Sequence, residues 1–445
     1  MPSPNIATAV AAVLTAIPVL ELPVALLTVP QRDRLRSPTT GPSASVSSDG
    51  RFIAFASYER LTPADDDGRA DIYVLDRLAG SATLQSLDSP DVSIDADCSN
   101  PRISGDGRYI AFETTIAREG STRIGADILL RDRVSATTRR VIRTPAGGFP
   151  NGWSADPSID AAGETIVFTS TATDLVPGQD ANGTLSDVYL LRRATGVIQR
   201  VSLDAVGVQP RTGASMSSSV SGDGRFVAFS STAALAAPGL APRVLPTGDE
   251  RARALTHVYV RDTRLNQTTR IRPRDVEPNG SSMMPSISRS GEFVAFASDA
   301  SNLVPGDRNR STDVFLYDVR TGAIVLVSRT IAGRSANGAS IGPSLSFDGR
   351  FVAFQSVASD LTCANRCQAA AQDINLLPDV FVFDRTTAAI TRVSMGHEGG
   401  WMEESAAPAL DATGNIIAFS SKHPIDAEDA GDDFDLFVRV ATPAR

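Results

Sequence analysis

The sequence has few of the residues from which most catalytic and metal sites are built. Its 445 residues include three histidines and three cysteines. The cysteines (Cys98, Cys363 and Cys367) have no zinc-ligand spacing, so few groups are left for a zinc site or a Ser-His-Asp triad. Lys422 is the single lysine, and the net charge is −9. This is the opposite of the basic field that nucleic-acid binding needs, so no nucleic-acid partner is expected.

The sequence also lacks a clean membrane-spanning run. Residues 6–29 are apolar, but Pro18, Glu21 and Pro23 interrupt them and no Lys or Arg precedes them. We therefore do not expect an integral membrane protein. Residues 1–21 are interpreted as an apolar leader, and whether they form a cleaved export signal stays open. Export would place the protein in the periplasm or outside the cell; a leader that serves only as a closing strand would leave it in the cytoplasm.

What the sequence does contain is one phrase, repeated seven times. The clearest copies are "SSDGRFIAFAS" (47–57), "SGDGRYIAFET" (104–114), "SGDGRFVAFSS" (221–231) and "SFDGRFVAFQS" (346–356). The seven copies place their shared glycine 56 to 67 residues apart, at Gly50, Gly107, Gly163, Gly224, Gly291, Gly349 and Gly414. A regular period of this length indicates an array of one supersecondary unit.

Each copy predicts four short antiparallel strands. In residues 337–393 a short strand ends near Leu345, "FDG" forms a tight turn, and "RFVAFQS" is a buried strand. A long loop then leads to "DVFVFD", and a half-polar fourth strand follows. No segment has a convincing amphipathic-helix pattern. Seven four-stranded units without helices predict an all-β fold, a seven-bladed β-propeller that forms a single domain over residues 22–445.

The ends of the chain predict how the ring closes. No fourth strand fits after "DLFVRV" (435–440), whereas the apolar segment "LPVALLTV" (22–29) has no blade of its own. Val29 precedes Val46 by 17 residues, and equivalent positions elsewhere are 17 or 18 apart. We therefore expect residues 22–29 to supply the fourth strand of the last blade, which would leave no open sheet edge.

The phrase S-x-D-G-R-[F/Y]-[I/V]-A-F-x-S, followed by D-[I/V]-[Y/F]-V-x-D, resembles the propeller repeat of the TolB-like family. That family is related in shape to WD-repeat propellers, and the resemblance covers residues 24–439. It implies an exported or periplasmic binding scaffold. The same type of blade also occurs as the non-catalytic propeller of dipeptidyl-peptidase-like enzymes, so the motif specifies the fold better than the function.

Residues shared by all copies are expected to be structural, and residues of single copies are candidates for binding. An aspartate opens the third strand in six copies, at Asp71, Asp127, Asp187, Asp313, Asp379 and Asp435, and we interpret it as a holder of backbone donors. His257 takes this position in the fourth copy, where a satisfied surface histidine is favoured over a catalytic one. The long second-to-third strand loops are predicted to share one face and to bind a partner. The candidate partner-binding residues are His257, Arg251, Arg253, Asp307, Asn309 and Arg366.

Two further features are open at this level. Acidic loops such as 65–71 and 180–183 carry oxygen ligands at alternate positions, which suits Ca²⁺, although the same residues also favour turns. The calcium candidates are Asp65, Asp67, Asp180 and Asn182, and the default expectation is no metal and no cofactor. Cys363 and Cys367 lie four residues apart in a polar loop, where a disulfide in an exported protein and two free thiols are both open.

These observations favour a monomeric, non-enzymatic scaffold that binds a protein or peptide through its long-loop face. No catalytic residue is assigned. The alternative is a propeller enzyme of the lyase or hydrolase type, or a carbohydrate-binding protein, with its site in the central channel. An enzyme would require ionisable side chains from several blades to converge there.

Overall fold

The structure is a computed structural model that describes residues 43–65, 67–89, 92–117, 124–235, 255–362, 377–395, 403–422 and 434–440. All of its regular elements are β-strands. They form six four-stranded antiparallel sheets, one three-stranded sheet and a two-stranded hairpin. The predicted seven-bladed β-propeller is confirmed.

Blades 1 to 3 occupy the first half of the chain. Blade 1 contains β1 (Ser45–Val46), β2 (Phe52–Ser57), β3 (Asp71–Asp76) and β4 (Ser81–Leu84), and the hairpin β5 (Leu87–Ser89) and β6 (Val92–Ser93) follows it. Blade 2 contains β7 (Cys98–Ile103), β8 (Tyr109–Ala117), β9 (Ile124–Asp132) and β10 (Thr137–Arg140). Blade 3 contains β11 (Ser154–Ile159), β12 (Thr165–Ser170), β13 (Asp187–Arg192) and β14 (Val197–Arg200).

Blades 4 to 7 repeat the order. Blade 4 contains β15 (Ser215–Val220), β16 (Phe226–Ser231), β17 (His257–Asp262) and β18 (Gln267–Arg270). Blade 5 contains β19 (Ser282–Ile287), β20 (Phe293–Ser298), β21 (Asp313–Asp318) and β22 (Ile324–Leu326). Blade 6 contains β23 (Ser340–Leu345), β24 (Phe351–Ser356), β25 (Asp379–Asp384) and β26 (Ile390–Arg392). Blade 7 contains β27 (Ser405–Leu410), β28 (Ile416–Ser421) and β29 (Asp435–Val440).

The first strand of each blade is the innermost one. It contacts the first strands of both neighbouring blades, so these seven strands surround the central channel. Because each blade is an antiparallel meander, the second-to-third strand loops and the links between blades emerge together on one side, which we call the loop face. The short first-to-second and third-to-fourth turns lie on the opposite side, the turn face. The predicted division into long and short connections is confirmed.

The core lies between the sheets and is built from the second and third strands. In six blades an aromatic residue of the second strand stacks on an aromatic residue directly opposite on the third, as in Phe55 and Tyr73, whose ring centroids are 5.9 Å apart. The other pairs are Phe168–Tyr189, Phe229–Tyr259, Phe296–Phe315, Phe354–Phe381 and Phe419–Phe437. Such cross-strand pairs bury large apolar areas and fix the register.

The repeated phrase organises the turn face. The Ser47 hydroxyl donates to Asp49 Oδ1 (2.6 Å) and accepts the backbone N–H of Phe52. Arg51 donates to Asp76 at the end of the third strand (Nη2 to Oδ2, 2.7 Å) and covers the Phe52 ring. The same ion pair recurs as Arg108–Asp132, Arg225–Asp262 and Arg350–Asp384. The Arg108 guanidinium holds the pKa of Asp132 below its usual range.

The glycine of the phrase is where neighbouring blades come closest. Gly107 has a φ of +74°, and a Cβ atom there would lie 2.3 Å from Cδ2 of Phe52 in the preceding blade. Other blades repeat this approach at Gly163 on Tyr109, Gly291 on Phe226, Gly349 on Phe293 and Gly414 on Phe351. Glycine is required both for its left-handed backbone and for the missing side chain.

The ring closes between blades 7 and 1. The Ala412 N–H donates to the Ser48 carbonyl across this junction (3.1 Å). Ile416 and Leu436 of blade 7 share one buried cluster with Ile53 and Phe55 of blade 1. Blade 7 has three strands among the described residues. The predicted closing strand (22–29) and the leader (1–21) lie outside the described residues, and the described part of the chain contains no helix long and apolar enough to cross a membrane.

Candidate functional site: the channel and the loop face

The channel wall carries an unusual backbone conformation in every blade whose first strand is described in full. The strand pairing shifts register near the third residue of the first strand, which marks a β-bulge. The third residue has a φ between 51° and 63°: Asn100, Asp156, Ser217, Met284, Gly342 and Ala407. This left-handed conformation is costly for non-glycine residues, so the blade architecture imposes it.

A serine near the end of the first strand links neighbouring blades. Ser158 Oγ of blade 3 accepts the backbone N–H of Val220 in blade 4 (3.1 Å). Three other serines accept a backbone N–H of the following blade in the same way: Ser45 from Ile103, Ser219 from Ile287 and Ser344 from Leu410. In blade 2 this position holds Arg102, a far longer and charged residue.

The turn-face end of the channel is lined by backbone groups. In five of the seven phrases, the residue after the first serine or aspartate donates its N–H to the equivalent carbonyl of the next blade. These bonds run from Ser48 to Gly105, Ala161 to Gly222, Gly222 to Arg289, Phe347 to Ala412 and Ala412 to Ser48. These bonds join the turns of neighbouring blades at this end of the channel.

One charged cluster lies on the channel wall, between blades 2 and 3. Glu113 Oε1 accepts from Asn100 Nδ2 (2.8 Å) and from the backbone N–H of Asp156 (2.7 Å). Burial raises the pKa of both Glu113 and Asp156, and burial lowers the pKa of Arg102. Arg102 acts on both carboxylates through space, without an ion pair within 4 Å among the described residues.

The role of Glu113 is repeated elsewhere by an uncharged residue. Gln355 occupies the same position on the second strand of blade 6, and its Oε1 accepts the N–H of Ala407 in blade 7 (3.2 Å). Both side chains therefore satisfy the backbone of the bulged residue in the following blade. This contact needs an acceptor oxygen and no negative charge.

The aspartate that opens the third strand has a repeated partner. The carboxylate accepts from a serine hydroxyl after the fourth strand, and that serine accepts a backbone N–H from the residue after the aspartate. The pairs are Asp71–Ser86, Asp187–Ser202, Asp313–Ser328 and Asp379–Ser394. In these four blades the aspartate reaches the backbone through a serine, whereas in blade 2 Asp127 Oδ1 accepts the backbone N–H of Ile128 directly (2.8 Å), as expected.

In blade 3 the loop candidates Asp180 and Asn182 surround two donor groups. Arg200 Nη2 lies 2.7 Å from Asp180 Oδ2, and its Nε lies 3.3 Å from Asp187 Oδ2. Gln209 Nε2 donates to Asp180 Oδ1 (2.8 Å), Asn182 Oδ1 (2.9 Å) and Asp187 Oδ2 (2.9 Å). The oxygens that sequence reasoning assigned to calcium are here satisfied by the protein.

In blade 1 the candidates Asp65 and Asp67 lie beside Asp71. One oxygen from each of these three carboxylates lies within 4.8 Å of the other two. Asp65 is buried and accepts from the hydroxyl of Tyr73, and burial raises the pKa of Asp65. The structure therefore brings together two predicted calcium candidates and a third carboxylate that was interpreted as purely structural.

In blade 5 the partner-binding candidates Asp307 and Asn309 lie beside Asp313. Asp307 is 8% exposed and Asp313 is fully buried. Asp307 Oδ1 and Asp313 Oδ2 are both buried without a hydrogen-bond partner. Burial, opposed by Ser328, raises the pKa of Asp313 to about 7, and the facing Asp307 adds to the rise.

His257 lies inside blade 4 and is 2% exposed, so the expected surface position is wrong. Arg270 Nη2 lies 2.9 Å from its Nε2 and 2.8 Å from Glu277 Oε1. Burial, with Arg270 next to the ring, lowers the pKa of His257 to about 4. A role of His257 in partner binding remains a prediction.

The other candidates divide between buried and undescribed positions. Arg251, Arg253 and Arg366 lie outside the described residues, as do Cys363 and Cys367. Cys98 is a buried free thiol whose pKa burial raises to about 12, so it is not a reactive nucleophile.

Sequence reasoning missed the apolar groups that the loop face exposes. Phe149 is 57% exposed, Trp153 41% and Met284 42%. Other large apolar side chains exposed in loops of this face are Leu185, Val206, Val208, Ile331 and Val357, and Met216 is exposed on a first strand. Those at turn-face turns are Leu78, Val134, Leu265 and Phe347. Most of the exposed apolar residues of the loop face lie in loops that the copies do not share, and this was their signal in the sequence.

Known structures agree with the fold. The chain is similar to an oligogalacturonate lyase solved in complex with manganese (13% identity, 95% of this chain, 97% of that chain, TM-score 0.53). It is also similar to a prolyl endopeptidase (13% identity, 91% of this chain, 51% of that chain, TM-score 0.52). A third similar structure is TolB from Acinetobacter baumannii (16% identity, 82% of this chain, 67% of that chain, TM-score 0.43). A TolB structure is thus among the proteins that the chain is similar to, and the other two structures, with TM-scores above 0.5, support the propeller fold. No protein-family model and no curated protein matches the chain.

Proposed function

We propose that this propeller is a non-enzymatic, monomeric scaffold that binds a protein or peptide segment on its loop face. The observation that carries the proposal is the group of exposed apolar side chains on this face. Trp153, Phe149 and Met284 belong to the residue types that dominate the centres of protein interfaces. Methionine also adapts its shape to different partners.

The geometry of the channel supports an approach from the same side. Backbone hydrogen bonds join the turns of neighbouring blades at the turn-face end, and Met284 belongs to a first strand that lines the channel. The half-buried Arg102 and Asp156 offer charges of both signs on this wall. A peptide segment that covers the loop face could therefore place a polar group in the channel and apolar groups on the rim.

The test compares two double variants of the full chain. Random-sequence peptides displayed on phage are first selected against the immobilised wild-type protein. We expect Trp153→Asp with Met284→Asp to weaken the selected peptides by at least about tenfold, because two apolar anchors become charged. Asp is tolerated at residue 284 because Asp156 has the same left-handed backbone in blade 3.

The matched control places the same charges on the turn face. Leu78→Asp with Leu265→Asp changes two exposed leucines, which are 78% and 66% exposed, and should leave peptide binding unchanged. Selection of no peptide above background would contradict the proposal. So would peptides that lose binding in the turn-face variant and keep it in the loop-face variant.

We extend the proposal to location: the scaffold acts outside the cytoplasm. The TolB-like resemblance and the apolar residues 6–29 support this. Cell fractionation with N-terminal sequencing is the measurement, and a periplasmic or secreted chain that has lost its leader is the expected result. Recovery of the chain from the cytosol with Met1 intact would contradict it.

A further inference from the structure

In six blades an aspartate or histidine stands two residues before the third-strand aromatic or leucine that pairs with a fourth-strand residue, and we call the place between them the third-strand pocket. The pocket residues are these two and, in blades 1, 3 and 5, where the loop before the third strand is described, side chains of that loop. In blade 3 these are Asp187, the loop residues Asp180 and Asn182, and Arg200, which pairs with Tyr189. The fourth-strand residue divides the blades into two groups. It is arginine at Arg140, Arg200, Arg270 and Arg392, and leucine at Leu84 and Leu326.

In each of the four arginine blades the guanidinium is the cation of the pocket. Arg140 lies 3.9 Å from Asp127 and Arg392 lies 3.1 Å from Asp379. In blade 4, where His257 replaces the aspartate, Arg270 pairs with Glu277 instead. In blade 3, the one of these four whose loop before the third strand is described in full, Arg200 and Gln209 together satisfy the two carboxylates and the amide oxygen.

Blade 5 keeps the oxygens of blade 3 and loses both donors. Asp307, Asn309 and Asp313 correspond to Asp180, Asn182 and Asp187. Leu326 replaces Arg200. Ser335 takes the place of Gln209: its Oγ accepts the N–H of Arg308 (3.1 Å), as Gln209 Oε1 accepts the N–H of Ala181 (2.9 Å). A serine is too short to reach the carboxylates.

Two of the carboxylate oxygens in blade 5 are buried and unpaired. Asp307 Oδ1 and Asp313 Oδ2 have no hydrogen-bond partner, and among the described residues no arginine, lysine or histidine forms an ion pair with either carboxylate. Burying two carboxylates without a cation is strongly unfavourable, so the pocket lacks a positive charge that the arginine blades supply from the chain.

Blade 1 has the same combination of leucine and acidic loop. Leu84 stands at the arginine position, and Asp65, Asp67 and Asp71 supply three carboxylates. Their nearest oxygens lie within 4.8 Å of one another. Oxygens bound to one Ca²⁺ at about 2.3–2.6 Å lie no farther apart than roughly 5 Å, so one ion can reach all three.

We infer that the third-strand pocket of blade 5 binds a calcium ion through Asp307, Asn309 and Asp313, and that blade 1 binds a second ion through Asp65, Asp67 and Asp71. Ca²⁺ fits because every candidate ligand is a hard oxygen and because its coordination geometry is flexible. Mg²⁺ requires a near-octahedral set and gives up its water reluctantly, so weaker binding is expected. The inference is independent of the proposed partner binding.

The test exchanges the leucine for the arginine of the other blades. Full-length protein is treated with EDTA, desalted, and titrated with CaCl₂ while bound calcium is counted by equilibrium dialysis. We expect two ions for the wild type, one for Leu326→Arg, one for Leu84→Arg and none for the double variant. Leu326→Met is the matched control, because it keeps the volume without adding a charge, and it should still bind two ions.

The reverse exchange uses blade 3. Arg200→Leu with Gln209→Ser gives this pocket the composition of blade 5, and the variant should bind a third ion. Circular dichroism establishes that each variant is folded. A folded double variant that still binds two ions would overturn the inference, as would a wild type that binds none at millimolar Ca²⁺. If Leu84→Arg lost one ion and Leu326→Arg still bound two, the assignment of a calcium ion to blade 5 would be overturned.

Discussion

The two faces of the propeller use their residues in opposite ways. On the turn face nearly the same contacts recur from blade to blade: a serine that caps the turn, an arginine paired with the end of the third strand, and a glycine against the aromatic residue of the preceding blade. On the loop face the same position is filled differently, as Arg200 in blade 3 and Leu326 in blade 5 show. Repetition on one face maintains the scaffold, and variation on the other distinguishes the blades.

The comparison also shows that an ion pair that recurs in many blades need not contribute much to stability. The turn-face ion pairs occur four times, but their arginine side chains are 31–43% exposed. Exposed ion pairs contribute about 0.2–1 kcal/mol each. Arg200 occurs once in its acidic pocket and is 10% exposed, so its removal leaves buried charges without a partner. The contacts of Arg200 with its two buried carboxylates are therefore expected to contribute more to stability than any one of the turn-face pairs.

The largest expected effect is that of Arg200→Leu in EDTA. The variant leaves Asp180 and Asp187 without their cation. Breaking a buried ion pair in this way costs about 3–5 kcal/mol. The free energy of unfolding is measured by urea denaturation. Arg225→Leu, which removes the turn-face pair with Asp262, is the control and should cost no more than about 1 kcal/mol. Equal losses in the two variants would show that the faces do not differ in this respect.

The next largest expected effect is a difference in stability between two glycine-to-alanine variants, one on each face. Gly107→Ala on the turn face places a Cβ 2.3 Å from the Phe52 ring at a φ of +74°. We expect a loss of about 2–4 kcal/mol from strain and overpacking together. Gly183→Ala on the loop face has a φ of +69° but open space around its Cβ. It should lose only about 1 kcal/mol, and thermal melting of both variants measures the difference.

The repeated half of the molecule was the half that the sequence could predict. Periodic glycines and the "RFVAF" strands are local signals, and they indicated the number of blades, their strand order and the short turns. The ion pair from Arg51 to Asp76 was missed, although both residues belong to the repeat, because it joins the first turn to the end of the third strand. Contacts across a sheet have no fixed spacing in the sequence.

The candidate site was predictable only in part. Asp65 and Asp67 were identified because carboxylates at alternate positions are visible in the sequence. What distinguishes blade 5 from blade 3 is the exchange of Arg200 for Leu326, which lies far from the acidic loop along the chain. The sequence does contain this signal, as "RVS" at 200–202 against "LVS" at 326–328. Its meaning depends on the sheet, which places the fourth strand beside the loop.

His257 provides a pH-dependent difference between blade 4 and the other blades. Burial next to Arg270 lowers its pKa from an ordinary 6.5 to about 4, while Glu277 opposes this shift. Between these pH values the unfolded chain binds a proton that the folded chain does not. Stability is therefore retained above pH 6.5 and falls as the pH decreases towards 4, by at most about 3 kcal/mol. Urea denaturation of the wild type and of His257→Asn should show a weaker decrease for the variant; identical pH profiles would contradict this.

The smallest expected effect concerns the channel wall between the two faces. Glu113 accepts two hydrogen bonds, and Gln355 makes the corresponding contact in blade 6 without a charge. Glu113→Gln should therefore change the free energy of unfolding by less than about 0.5 kcal/mol, whereas Glu113→Ala, which leaves the N–H of Asp156 unpaired, should cost about 1–3 kcal/mol. Because a structural acceptor needs no charge, a large loss of stability in Glu113→Gln would contradict this interpretation. A stable Glu113→Gln variant that loses binding or activity would instead favour a channel site that uses the carboxylate.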